Sequence, residues 1–239
     1  MLSVTQLAGF GSGGRFTHNP IMIDFDGSTY LTRGADLDGN ADGKAFTLST
    51  YFDVRSTNSY DVIIANGGTD SGSGIYVCRQ FNNVIRVKAK NSSGTLILNA
   101  LTTQTYTTTS NPGRHHLLIT ANLASAGACH IYVDGVEDTS VSTFTDDTID
   151  FTKTNFSVGA TTSGTDTFTG CLGQLYFNLA YDNTPTDYYN DGYVDFGTDG
   201  SGPTGSQPIL FLNNTLSTWQ TNLSSGGGMT ENGTLSNCG

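Results

Sequence analysis

Glutamate is nearly missing from this chain. Among 239 residues only Glu137 and Glu231 are Glu, and Lys and Arg together number ten. Good helix formers are therefore scarce, and composition excludes long helices. The shortage of basic residues leaves a net charge of −11 and a pI near 4.4. That argues against nucleic acid or an anionic membrane surface as partner, because both demand a basic face. No run of 18 apolar residues exists, so the sequence offers no membrane-spanning helix and no membrane insertion is expected. The opening MLSVTQLAGFGSGGRF has neither a basic n-region nor an apolar h-region, and no secretory signal is expected. The four cysteines (Cys78, Cys129, Cys171, Cys238) include no C-x-x-C, which gives a zinc site no support. Free buried thiols are the expectation in a reducing compartment, with one disulfide left open among three full pairings.

What the chain does have is glycine, 30 residues of it, with abundant Thr, Ser and Asn. This is the composition of many short strands and many turns. The stretch Pro112–Glu137 is the centre of the pattern. It holds two apolar runs, His115–Thr120 and His130–Val133, and an Asp134-Gly135 pair that signals a two-residue hairpin turn. Ile131 and Val133 fall on one face and Tyr132 on the other. Ala45–Val54 (AFTLSTYFDV) alternates Phe46, Leu48, Thr50, Phe52 and Val54 on one face, a half-buried strand of good length. Further strands are predicted at Tyr60–Ala65, Gly74–Arg79, Val84–Ala89, Thr95–Leu101, Asn155–Ala160 and Gly170–Asn178. Strands at such intervals make an antiparallel β-sandwich or barrel, not βαβ units. One short helix is predicted near 185–191, from Thr184-Pro185 to a stop at Gly192. The division is then a flexible arm over 1–20, a sandwich over 21–180, and a helix with an extended appendage over 181–239.

The phrases FDGSTYL, AFTLSTYFDV, PGRHHLLIT, IYVDGV, NFSVGA and TGCLGQLYFN occur in this order. Together they resemble the laminin-G-like, concanavalin-A-like jelly roll over residues 21–180. LTRGADLDGNADGKAFTLS and GTDGSGPTGSQPILFL are similar to phrases of structural proteins of tailed bacteriophages that carry this fold. One departure is that the family's frequent tryptophans are missing, and Trp219, the only one, lies outside the expected sandwich.

Glycoside hydrolysis on this fold needs two carboxylates about 5 Å or about 6.5–9.5 Å apart. Glucanases of this kind place glutamates on one strand as E-x-D-x-x-E or a close variant, and no such phrase occurs here. No G-x-S-x-G supports serine chemistry, so no catalytic residue is assigned. His115 and His116 lie on opposite faces of one strand and cannot share a metal. Asp36, Asp38, Asn40 and Asp42 alternate like a calcium loop, but Ala41 and Thr47 stand where an EF-hand needs Gly and Glu, so a polar loop is the stronger reading. The resemblance implies a ligand site at one rim of the sandwich, on the loops Asn66–Gly74 and Thr161–Thr167. It makes Asn66, Asp70 and Asp166 the expected ligand-binding residues, with Asp70 and Asp166 as ligands should Ca²⁺ be bound. The expected function is a virion surface protein, on the capsid or a tail fibre, with a glycan-binding module. The alternatives are a hydrolase of host-surface polysaccharide and a purely structural cement protein. Expected partners are other virion proteins, host-surface glycans and further copies of the chain, by preference in a trimer. Assembly is expected in the bacterial host cytoplasm.

Overall fold

The computed structural model describes residues 20–67, 72, 74–190 and 194–239. In chain order the strands are β1 Met22–Asp26, β2 Tyr30–Thr32, β3 Ala45–Val54, β4 Asp61–Asn66, β5 Ile75–Arg79 and β6 Ile85–Lys90. They continue with β7 Leu96–Leu101, β8 His115–Asn122, β9 Cys129–Val133, β10 Val136–Glu137, β11 Ser140–Phe144 and β12 Phe156–Val158. The last four are β13 Thr169–Asn178, β14 Leu210–Leu212, β15 Thr230–Asn232 and β16 Ser236–Asn237.

They form two antiparallel sheets packed as a sandwich. The first runs β10-β9-β8-β3-β13-β1-β16, with β14 also paired to β13; the second runs β11-β7-β6-β5-β4-β12-β2-β15. This is the expected all-β jelly roll. Alternation places Phe46, Leu48 and Phe52 of β3 beside Leu117, Ile119 and Leu172 in the core, all of them fully buried. Phe25, Ile131, Val133, Phe156 and Leu175 are buried as well. Asp134 and Gly135 have φ of 52° and 75°, which is what a tight hairpin turn between β9 and β10 requires. In β13 the register slips between Gly173 and Tyr176, a bulge in which Gln174 takes φ of 42°.

The tail departs from its reading as an appendage over the surface. It supplies β14 and β16 to the first sheet and β15 to the second. Trp219, expected outside the sandwich, is fully buried in the main core and meets Phe25 edge-on at 6.0 Å. Ile209–Leu212 are likewise buried, so these residues are not free to bind a neighbour. Of the readings left open for the thiols, one disulfide is formed: Cys171 of β13 and Cys238 next to β16 are bonded in a link that strides over β1, while Cys78 and Cys129 are buried and outside it. The predicted helix is reduced to one 3₁₀ turn at Pro185–Asp187. Thr184 makes no side-chain cap, and Tyr188 is drawn down as a fully buried ring onto the outer face of the first sheet. The predicted stop at Gly192 and the arm up to residue 19 lie outside the described residues.

Trp219→Ala should cost about 3–5 kcal/mol, as for a large aromatic lost from a packed core. Urea unfolding followed by tyrosine fluorescence reads it. A variant as stable as the parent would show that the tail merely rests on the sandwich.

Candidate functional site

The rim loops come first. Asp70 lies outside the described residues. Asn66, at the end of β4, is buried, and its Nδ2 donates to the carbonyls of Asp150 (3.1 Å) and Phe151 (3.0 Å). Its Oδ1 accepts from Ile75 N at 2.7 Å, so this side chain clamps backbone together. Asp166 is exposed, with φ of 52°. It is placed over the second sheet, where its carboxylate accepts from Tyr76 Oη at 3.3 Å and its carbonyl from Val62 N at 3.0 Å. Asn66 and Asp166 are thus not turned to a common ligand. The oxygens of the Asp36–Asp42 loop also go separate ways. Asp38 pairs with Arg33 at 2.5 Å, Asn40 donates to the Phe151 carbonyl, and Asp42 accepts from Thr152 N at 3.0 Å. Among the described residues, the ligating side chains that gather in a group of three are Asp24, Cys171 and Cys238, and the two sulfurs are bonded to each other.

The paired histidines of β8 sit on opposite faces, as alternation requires. His115 is half-buried beside a cleft of about 270 Å³ that Tyr106, Asp134 and Asp138 also line. Its Nδ1 meets the Asp134 carboxylate at 2.6 Å and its Nε2 the Asn111 carbonyl at 2.9 Å. Both partners only accept, so the geometry suits the doubly protonated ring. Burial alone would lower its pKa, but Asp134 and the Asn111 carbonyl raise it overall. His116 is fully buried between Tyr51 and a stacked Tyr189, bonded to Ser49 Oγ at 2.8 Å. Burial pushes its pKa down to about 3, against a weaker opposing pull from Asp134.

A second cleft, of about 390 Å³, opens on the outer face of the first sheet, beyond the end of β13. Tyr181, Asp182, Asp187, Asn178 and Thr204 line it. Its floor is fixed by an outward pair of threonines, Thr47 of β3 and Thr120 of β8, which stand in register with hydroxyls 3.2 Å apart. Thr47 Oγ1 donates to the Ala180 carbonyl at 2.8 Å, and Asp182 N donates to the Thr47 and Thr120 hydroxyls at 3.1 and 3.3 Å. Asp182 then accepts from Thr184 N and from Tyr188 Oη, both at 3.1 Å. Sequence reasoning missed this cleft. Its one local signal is an aromatic-acid-amide phrase, Tyr181-Asp182-Asn183, directly after a long strand.

Residues 25–180 match the model of the concanavalin A-like lectin/glucanases superfamily, as a laminin G-type domain. The chain belongs to this family. No curated protein sequence matches it. Among solved structures, a candidate carbohydrate-binding protein from Bacteroides ovatus is similar at 15% identity, with a TM-score of 0.64 over 92% of this chain and 60% of that one. The chain therefore spans 60% of the length of that relative. A heptameric SAP-like pentraxin from Limulus polyphemus is similar at 10% identity, with a TM-score of 0.56 over 92% of this chain and 94% of that one. At such identities the likeness is one of fold. The family match ends where the second cleft begins, so Tyr181, Asp182 and Asp187 lie beyond it.

The two histidines act on stability with opposite sign. His116, neutral in the fold down to about pH 3, destabilises the fold as pH drops below the unfolded value near 6.5, because only the unfolded chain takes up the proton. His115, with its raised pKa, adds stability below pH 6.5 that is lost as pH rises through its folded value. His116→Gln should therefore flatten the acid limb of the stability profile between about pH 6.5 and 4, where one proton contributes roughly 1.4 kcal/mol per pH unit. Urea midpoints at half-unit pH steps test this. An unchanged slope would mean that His116 does not carry it.

Proposed function

We propose that this chain is a non-catalytic, lectin-like module that binds glycans, displayed on a virion surface as a capsid decoration or a tail-fibre component. The observation that carries the glycan reading is membership of the lectin/glucanase superfamily in a chain whose glutamates are both committed elsewhere. Glu137, on β10 at one edge of the first sheet, accepts from His130 Nδ1 at 2.7 Å. Glu231, on β15 at one edge of the second, accepts from Leu235 N at 2.6 Å. Two carboxylates on different sheet edges cannot flank one glycosidic bond as that hydrolysis requires. The similar Bacteroides ovatus structure, described as a candidate carbohydrate-binding protein, points the same way.

The virion setting rests on the two phage-like phrases of the sequence, and with it come virion proteins as neighbours and assembly in host cytoplasm. A trimer is the copy number this setting favours. The rim contact is the exposed Asp166 together with Asp70, around Ca²⁺ or sugar hydroxyls directly, while Asn66 clamps backbone. Sugar binding at one such site is of order millimolar, about −4 kcal/mol, and repeated copies make it useful.

A glycan array probed with the assembled protein tests the reading, with and without chelator and beside Asp70→Ala and Asp166→Ala. The expected result is binding without shortening of the glycan, weakened in both variants. Sustained release of shorter sugars would replace the lectin with a hydrolase, and an array with no signal would leave the cement role. Light scattering on the same sample should give three times the chain mass.

A further inference from the structure

We infer that the cleft lined by Tyr181, Asp182 and Asp187 is a second saccharide site, separate from the rim, which takes an uncharged hexose or N-acetylhexosamine unit. The inference rests on the lectin reading and names the ligand class at a site whose Tyr181, Asp182 and Asp187 lie beyond the family match. Its volume of about 390 Å³ falls within the ~300–1,000 Å³ of small-ligand pockets. Sugar recognition needs an aromatic side chain for the C–H face of a pyranose and fixed acceptors for its hydroxyls. Tyr181 supplies the first and is only half-buried. Asp187 supplies the second. It is half-buried and, among the described residues, its carboxylate has no hydrogen-bond or ion-pair partner.

The rest of the cleft is already held in place. Asp182 is fixed by four hydrogen bonds, two at its backbone N–H and two at its carboxylate. Asn183, next in the chain, accepts from Tyr132 Oη at 2.8 Å. Asn178 donates to Tyr176 Oη at 3.2 Å. A loop ordered before the ligand arrives avoids much of the entropy cost of binding. The charge sets the class. Two carboxylates and no Lys or Arg line the cleft, on a chain of net charge −11, so an anionic sugar would meet uncompensated repulsion. This location also differs from the rim, because Asp166 sits over the second sheet and the cleft on the first.

The test is isothermal titration of the full chain with three probes: cellotriose, triacetylchitotriose and, as the anionic comparator, sialyllactose. The parent should bind at least one neutral trisaccharide and bind sialyllactose at least about tenfold more weakly. Asp187→Ala and Tyr181→Ala should each weaken neutral binding about tenfold or more, while Asp166→Ala leaves this component unchanged. The Asp187 carboxylate makes no hydrogen bond or ion pair among the described residues, and its backbone bond to the Thr184 carbonyl survives the substitution, so its variant should melt like the parent and separates binding from folding. Neutral binding that survives both cleft variants would overturn the site while the lectin reading stands. Binding lost only in Asp166→Ala would return all recognition to the rim. Sialyllactose binding as tight as neutral sugar would overturn the ligand class. No heat with any probe, together with a silent array, would remove the lectin reading itself.

Discussion

The fold depends on how the sandwich is closed. A jelly roll that ended at Asn178 would leave β13 and β1 without β14 and β16, β2 without β15, and a hole in the core where Trp219 sits against Phe25. Unpaired backbone at a sheet edge and a cavity the size of an indole are both costly. One segment answers both demands, and the Cys171–Cys238 disulfide locks its end over β1. By the chain-entropy argument, a cross-link over 67 residues is worth on the order of 4 kcal/mol.

Closure also decides which surfaces remain for function. On its way back to the core the segment crosses the outer face of the first sheet and buries Tyr188, Phe196 and Phe211 against Leu118, Tyr132 and Tyr176. That face is no longer open to a ligand over most of its area. What is left is the notch where the 178–188 loop leaves β13, pinned by Thr47 and Thr120. The opposite end of the sandwich is held differently, by the fully buried Arg79–Asp61 pair, which Ser56 and Asn83 complete. A buried pair of this kind is conspicuous electrostatically, yet with both terminal nitrogens of Arg79 bonded inside the fold it reads as structural.

The sequence pattern told most where strands are long. Ten residues of β3 that alternate but for Thr50, and Asp134-Gly135 between two apolar runs, leave few other readings, and the structure agrees with both. It told least in the tail. β14, β15 and β16 have two or three residues each, too few to show a period of two, and their register is set by β13, β2 and β1 rather than by their own residues. The same holds for the cysteines, which only strand order brings together. Thr184-Pro185 is a proper helix start, but Thr184 makes no side-chain cap and the single turn gives way at Tyr188, which is buried on the sheet. Asn66 shows the limit of reading a site from loop composition: an amide in a turn-rich loop can bind a ligand or clamp backbone, and here it clamps. The second cleft was illegible because its walls come from loops some twenty residues apart, 178–188 and 204–206.

The central claim is that the segment closing the sandwich also furnishes a ligand surface. Hydrogen exchange of the full chain, with and without a saturating neutral trisaccharide, tests it most directly. The account predicts slowed amide exchange across 178–190, with the buried strands β3 and β13 unchanged. Protection confined to the 161–167 loop, or none in the presence of a sugar shown to bind, would contradict it.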